Sequence, residues 1–322
     1  MPLPDRLPSY DELPEVEVLG RRLRSAWGVF GEDDELGPWN LVTPEKVREA
    51  AALVRKGKVF NLDLPLNEPD PPLFEFRGSY RQTIEEVSGG LKLAYDDRLD
   101  NFFPQTSSQW DGHRHVGVPG SFYNNRAQEQ VLAAGNPTLG IQNLAAHGIV
   151  TRGVLLDVER HLRAQGRTWD PNGSFEFTAD DLRETARAQG VEIRPGDVLL
   201  FNTGWLRWLR AEPRSTREAL AHDLKAPGLR PDGDTAEYLW NLHIAAIATD
   251  TVAVERWPID PARGFLHIQL IALFGMNLGE MWWLQDLADD CAQDGVWEFM
   301  LVSSPLNIPG GVGSPPNAVA IK

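Results

Sequence analysis

The stretch 149–158, IVTRGVLLDV, constrains this chain most. It is β-branched and apolar, it follows a glycine, and its carboxylate comes only at the end, in Asp157. Such a run reads as a buried strand. It recurs in weaker form at 198–203 and 245–251, and helical patterns lie between these stretches. Strands that alternate with helices define an α/β class, expected here as a mixed central sheet or barrel with flanking helices.

The rest of the chain fits around these strands. Thr43-Pro44 reads as the N-cap and first residue of a helix to about residue 56. Residues 59–64 read as a strand, and 65–100, rich in Pro, Gly and charge, as a long excursion over the body. Thr178 to Asp181 opens a helix in capping-box style, which Gly190 ends. Gly204-Trp205 closes the strand before it. A helix is expected over 235–242, and Asp250 sits at the carboxyl end of strand 245–251, where it serves a site or caps the next turn. Two more helices follow, an apolar one over 265–276 carrying His267 and another over 283–293. Strands 297–303 and 318–321 close the chain. Residues 1–42 are Pro-rich and acidic but carry Tyr10, Trp27, Phe30 and Trp39. They read as an N-terminal arm that packs on the body or on a neighbouring subunit. No linker divides the 322 residues, so 1–322 reads as a single domain with that arm.

Composition removes several function classes. The formal charge is −15, and no Lys/Arg cluster offers a phosphate-binding surface, so nucleic acid is not an expected partner. Arg21-Arg22-Leu23-Arg24 is followed by an acidic stretch at 32–35 and reads as a solvated helix face. The single cysteine, Cys291, excludes an intrachain disulfide and a Cys-rich zinc site, and its helical setting reads as buried. There is no signal-peptide pattern at the start and no apolar run of membrane-spanning length. A cytoplasmic protein without a membrane partner is the expectation.

Three places could carry chemistry. Gln109-Trp110-Asp111-Gly112-His113-Arg114-His115 sets a carboxylate, two imidazoles and a carboxamide within seven residues, enough to hold a metal or move protons. His267 is the one ionisable group in an otherwise apolar helical run. Glu280 lies between Gly279 and Met281-Trp282-Trp283, where a carboxylate is costly unless paired or metal-bound. His147 is a further candidate ahead of the first strand. Trp110, Phe103, Trp205 and Trp282, with Phe102, Tyr123 and Trp283, flank these groups and suit an aromatic or cyclic substrate. Spacing alone does not bring the three places together.

The stretches Phe265-Leu266-His267 with Gly275 and Glu280, Phe299 to Val302 running into Pro305-Leu306, and Gly310-Gly311-Val312-Gly313-Ser314-Pro315 resemble the cyclase family. So do Trp27-Gly28, 37–41, 148–157 and 196–205. The family comprises metal-dependent hydrolases and includes bacterial kynurenine formamidase and isatin hydrolase. Its signature H-x-G-T-H-x-D-x-P-x-H falls on 105–115. Here Gln105 and Gln109 replace the two early histidines, while Asp111 and His115 survive. An alternative placement four residues later makes His113 a ligand but loses the Asp. The S-Q-W-D-G pattern with a later His resembles a longer-chain branch of the family that carries an N-terminal arm.

The resemblance implies a cyclase-like swivelling β/β/α fold, a homodimer or homotetramer, and one divalent ion, zinc or manganese. Asp111, His115, His267 and Glu280 would hold the ion, with Gln109 as a weak carboxamide ligand. His115 and Glu280 would handle protons, and whether His115 is ligand or base stays open. Trp110, His113, Phe103, Trp205, Trp282 and His147 would shape the substrate pocket. The implied reaction is metal-dependent hydrolysis of an aromatic or cyclic amide, formamide or lactone. The alternatives are a ligand-binding member with an altered site, and a metal-dependent lyase or cyclase.

Overall fold

The structure, a computed structural model, describes residues 6–260 and 262–322. A nine-stranded mixed sheet organises it. Its centre is four parallel strands in the order Asn277–Glu280, Ala246–Thr249, Val198–Asn202 and Ile149–Asp157. Every residue of Val198–Asn202 is buried, as are eight of the nine in Ile149–Asp157. That burial is why these strands are apolar at consecutive positions.

The sheet then extends antiparallel on both sides. Gln109–Asp111 pairs with Asn277–Glu280, and Glu298–Ser303 pairs with Ile149–Asp157. Ala318–Ile321 and Val59–Asn61 continue the second side. Core packs on both faces. One face is built around Leu156, Phe201, Ile247 and the 266–278 segment, and the other around Trp39, Trp110, Trp282 and Phe299.

The local chemistry explains several elements. Thr178 Oγ1 accepts the Asp181 N–H and Asp181 returns the bond, so helix Ala179–Gln189 starts in a capping box and stops at Gly190, φ 65°. Helix Gln285–Asp294 buries Cys291, whose thiol burial pushes up to about 12. Asp250 caps rather than catalyses: it accepts the Thr203 N–H and hydroxyl, both at 2.8 Å, at the entrance to helix Trp205–Ala211.

Some expectations need correction. The first helix is Pro44–Ala51, ending well before residue 56. Gly204-Trp205 follows the end of strand Val198–Asn202 as expected and also opens a helix, Gly204 turning the chain at φ 76° under Glu159. The 65–100 excursion contains an antiparallel hairpin, Arg81–Glu86 with Tyr95–Asp100, which pairs with no other strand. Arg21-Arg22-Leu23-Arg24 is no helix face. It is a strand, paired with Glu15–Val18 so that Val16 lies opposite Leu23. Over 265–276 the chain makes a six-residue π-helix, Ile268–Leu273, instead of a long α-helix.

The N-terminal arm packs on the body of its own chain. Trp27 Nε1 donates to Ala272 O at 2.8 Å, and Trp39 Nε1 donates to Asn277 Oδ1 at 2.8 Å. Gly37 and Gly275 touch backbone to backbone: a Cβ on Gly37 would lie 2.3 Å from Gly275 O. Among the described residues, no helix is long and apolar enough to cross a membrane.

Candidate metal centre

Strand register builds the first half of the site. In Gln109–Asp111 alternate side chains face opposite ways, so Gln109 and Asp111 share a face and Trp110 takes the other. Trp110 enters the core, edge-on to Trp39 and Trp282, and donates to Ser303 Oγ at 2.9 Å. Glu280 lies directly opposite Gln109 across the antiparallel pair. Two residues 171 positions apart are thereby set side by side.

The π-helical segment supplies the second half. His267 precedes it, and its Nε2 lies 3.1 Å from Glu280 Oε1 and 4.0 Å from Asp111 Oδ2. His115 Nδ1 lies 3.7 Å from Asp111 Oδ1. Ligand atoms of Asp111, His115 and His267 all fall within 4.8 Å of one another. Of the four residues expected to converge, Asp111, His115 and His267 thus lie as one group, and Glu280 adjoins it through His267.

Two observations show that this set suits a divalent ion. Asp111 is fully buried, yet among the described residues its Oδ1 has no hydrogen-bond partner. A buried carboxylate oxygen without a partner is costly. The second is Glu255, buried, whose Oε2 lies 2.6 Å from His267 Nδ1. The carboxylate only accepts, so Nδ1 carries a proton and the Nε2 lone pair can face Asp111. A carboxylate behind a histidine is the usual support for a metal ligand. One carboxylate and two imidazoles form a mixed O/N set suited to zinc or manganese.

Without an ion the charges settle on protons. Burial pulls the His267 imidazole down, but Glu255 and then Glu280 overrule it and hold it well above its ordinary value. Burial, with the Asp111 carboxylate beside it, pushes Glu280 up to about 7. Burial lowers His115, with Asp111 pulling the other way. His115 is the one member of the cluster with partial exposure, 22% of its side chain.

The carboxamides are oriented by what surrounds them. Gln109 Nε2 donates to Glu280 Oε2 at 2.7 Å and reaches Asp111 Oδ2 at 3.4 Å. Its Oε1 accepts from Arg77 Nη1 at 3.4 Å. Flipping the amide would set its oxygen against two carboxylates and its NH2 against a guanidinium. In this arrangement Gln109 turns its NH2 group, which cannot ligate, toward the acids, contrary to the ligand role expected for it. Gln105 Nε2 lies 3.2 Å from His115 Nδ1.

Two participants were not singled out in the sequence. Glu255 sits in the apolar stretch Val252-Ala253-Val254, where an isolated buried acid is as informative as Glu280. Arg77 belongs to the excursion before the hairpin. It lies over the Phe74 ring and reaches both Gln109 and the carbonyl of Gln105.

Several expected pocket residues lie elsewhere. His113 is sealed, with Nε2 2.7 Å from Gly275 O and Nδ1 3.1 Å from Glu35 O, and it pins the arm to the body. Trp205 is buried with Leu64, Leu73 and Met281 in a separate core cluster. Trp282 donates to Gln109 O at 3.0 Å, backing the strand from the core side. Phe103 lines a small surface crevice with Tyr80 and Phe102. His147 ends helix Gln142–His147 in an exposed position.

A mixed α/β sheet with a buried Asp/His/His cluster at the junction of its antiparallel and parallel parts defines the class. The cyclase family model, described as “Putative cyclase”, matches residues 60–256, and the chain belongs to that family. A crystal structure described as a novel cyclase is 32% identical with a TM-score of 0.80, over 92% of this chain and 99% of that one. Isatin hydrolase A from Labrenzia aggregata shares the fold at 17% identity and a TM-score of 0.59, covering 84% of this chain and 94% of its own. Isatin hydrolase A from Ralstonia solanacearum does so at 19% identity and 0.55, covering 86% and 97%. No curated protein matches the chain in sequence.

Proposed function

We propose that the protein is a metal-dependent hydrolase of a C–N or C–O bond in an aromatic or cyclic amide, formamide or lactone. The observation that carries this reading is the Asp111/His115/His267 set with Glu255 behind His267. A zinc or manganese ion held there would polarise the carbonyl and lower the pKa of a bound water.

The chain's own groups do the rest. Glu280, buried, raised to about 7 and 3.1 Å from His267, would be the group placed to accept a proton from a water held there. His115, the member partly open to solvent, would complete the ligand set on its solvent side. Glu255 keeps His267 in the tautomer that presents Nε2. Gln109 holds Glu280 in place, and Arg77 offsets the acidic charge of Asp111 and Glu280. The isatin hydrolases that share the fold agree with such a reaction class.

Stoichiometric metal analysis, turnover of a formamide, lactone and cyclic-imide panel, and ¹⁸O uptake from water test the reading together. Metal-free protein under every loading condition, or product without ¹⁸O, overturns it; the latter result supports a lyase. One observation favours the ligand-binding reading instead: Arg77 and the Gln109 NH2 group occupy the side of the site where the family pattern has histidines. That reading requires binding without turnover.

The protein is further proposed to work as a homodimer or homotetramer within a single cyclase-like domain. Support comes from the 81–100 hairpin. One face is ion-paired through Arg81, Arg98, Glu85 and Asp100, while the other exposes Ile84, Tyr95 and Leu99 interleaved with Gln82, Glu86 and Asp97. A cytoplasmic location agrees with this reading.

A further inference from the structure

A second cavity, of about 410 Å³, lies between the N-terminal hairpin and the 259–269 segment. Its walls are largely apolar and include Val18, Leu23, Ala236, Phe265 and Ile268. Its polar edge carries Arg21 with Arg22, Asp232 and Gln269. We propose that this cavity binds a small carboxylate with an apolar body, its carboxylate held by the Arg21 guanidinium.

The argument begins with charge. The chain has 46 acidic and 31 basic side chains, so an arginine here should find an acid easily. Its strand neighbours do: Arg22 and Arg24 both pair with Glu15, at 3.8 and 3.4 Å. Among the described residues Arg21 makes no ion pair, and its Nη1 is buried without a hydrogen-bond partner. Nη1 is closed off against Gly264, so the rest of the guanidinium, which has no acid partner among the described residues, is the part an anion in the cavity would meet.

Geometry agrees. The nitrogen is held against the cavity wall at Gly264, where a Cβ would meet Pro231 O at 2.6 Å and Arg21 Nη1 at 3.0 Å. Asp232 also borders the cavity but is engaged elsewhere. Its Oδ1 caps Thr235 N at 2.9 Å, and its Oδ2 faces Arg230. The volume is in the range of small-molecule sites, about 300–1,000 Å³. A planar fork at one side of an apolar chamber matches a carboxylate on an alkyl or aryl body, because a guanidinium binds that group through two parallel bonds. The site is distinct from the metal centre and shares one wall with it: Phe265 stacks on the His267 ring, centroids 5.0 Å apart at 24°.

Calorimetric titration with octanoate, 3-phenylpropionate and 1-octanol tests the proposal. Octanoate and 3-phenylpropionate should saturate one site. Arg21→Met should weaken both by about tenfold or more while leaving 1-octanol unchanged. Leu23→Trp, which fills the chamber from a half-buried position, should weaken all three and keeps the test open if Arg21→Met does not fold. Asp111→Ala, which disables the metal centre, should leave octanoate affinity unchanged. Carboxylates that do not bind, that bind Arg21→Met and Leu23→Trp as well as wild type, or that are lost in Asp111→Ala alone overturn the proposal. The Asp111→Ala result is independent of whether the protein is a hydrolase.

Discussion

Glu255 Oε2 sits 2.6 Å from His267 Nδ1, and its second oxygen accepts the His267 N–H at 3.2 Å. One carboxylate thus fixes both the ring and the backbone of the residue at the centre of the site. It faces the side of His267 opposite Asp111 and Glu280, so it orients the imidazole without competing for an ion.

Glu255→Gln should therefore weaken metal affinity by about 10–100-fold, the usual cost of removing such a support. The amide can present its NH2 to Nδ1 and favour the wrong tautomer. A competition titration against a chelating dye reads the loss. Unchanged affinity would show that Glu255 only fills space.

Metal uptake should strengthen as pH rises through 7. Binding needs deprotonated donors and must displace protons from His267, held well above its ordinary value, and Glu280, raised to about 7. The metal-free protein should behave in the opposite sense. Both groups have folded pKa values above their unfolded ones. Their stabilisation is complete below the unfolded values and is lost as pH rises through the folded ones. Melting temperatures at pH 5 to 8 should fall with pH in chelator and rise relative to that curve with manganese or zinc. Parallel curves would count against the site.

Gln109→Leu should destabilise the fold by about 1–3 kcal/mol, because Glu280 Oε2 loses its 2.7 Å donor in a buried setting. Denaturant melts of the chelated protein measure this directly. Gln109→His tests the family pattern, and together with Arg77→Met it should raise metal content from about one to about two per chain, by restoring a ligand and removing the competing cation. No gain in metal would mean that the early histidine position has lost more than its ligand.

Ile84→Asp combined with Leu99→Asp should lower the mass measured by light scattering, since both are exposed apolar residues on one face of the hairpin. A mass equal to that of wild type would remove the hairpin from the subunit contact.

The sequence revealed what burial writes into it. Ile149–Asp157 was legible because both of its faces are covered, and helix Ala179–Gln189 because its ends carry their own capping chemistry. The 81–100 hairpin was not, since its residues are mostly exposed and its strands mix charge with apolar residues. Asp111, His115, His267 and Glu280 could be grouped through family resemblance, but the reason they meet is the Gln109–Glu280 register, which no local pattern encodes. Arg77 was missed because it looks like a loop charge until its contacts with Gln105 and Gln109 are known, and Glu255 because its partner His267 is brought to it only by the fold.

The π-helical winding at Ile268–Leu273 has a consequence for how this family can change. A π turn holds one residue more than an α turn. Removing any one residue of 268–273 would let the segment relax to ordinary α geometry, but each residue step rotates a helix by about 100°. Glu280 is fixed by its strand, so the rotation would fall on His267 and swing it off Asp111. The segment is a surplus residue kept in place by aim, and single deletions there should be lethal to function where most substitutions are not.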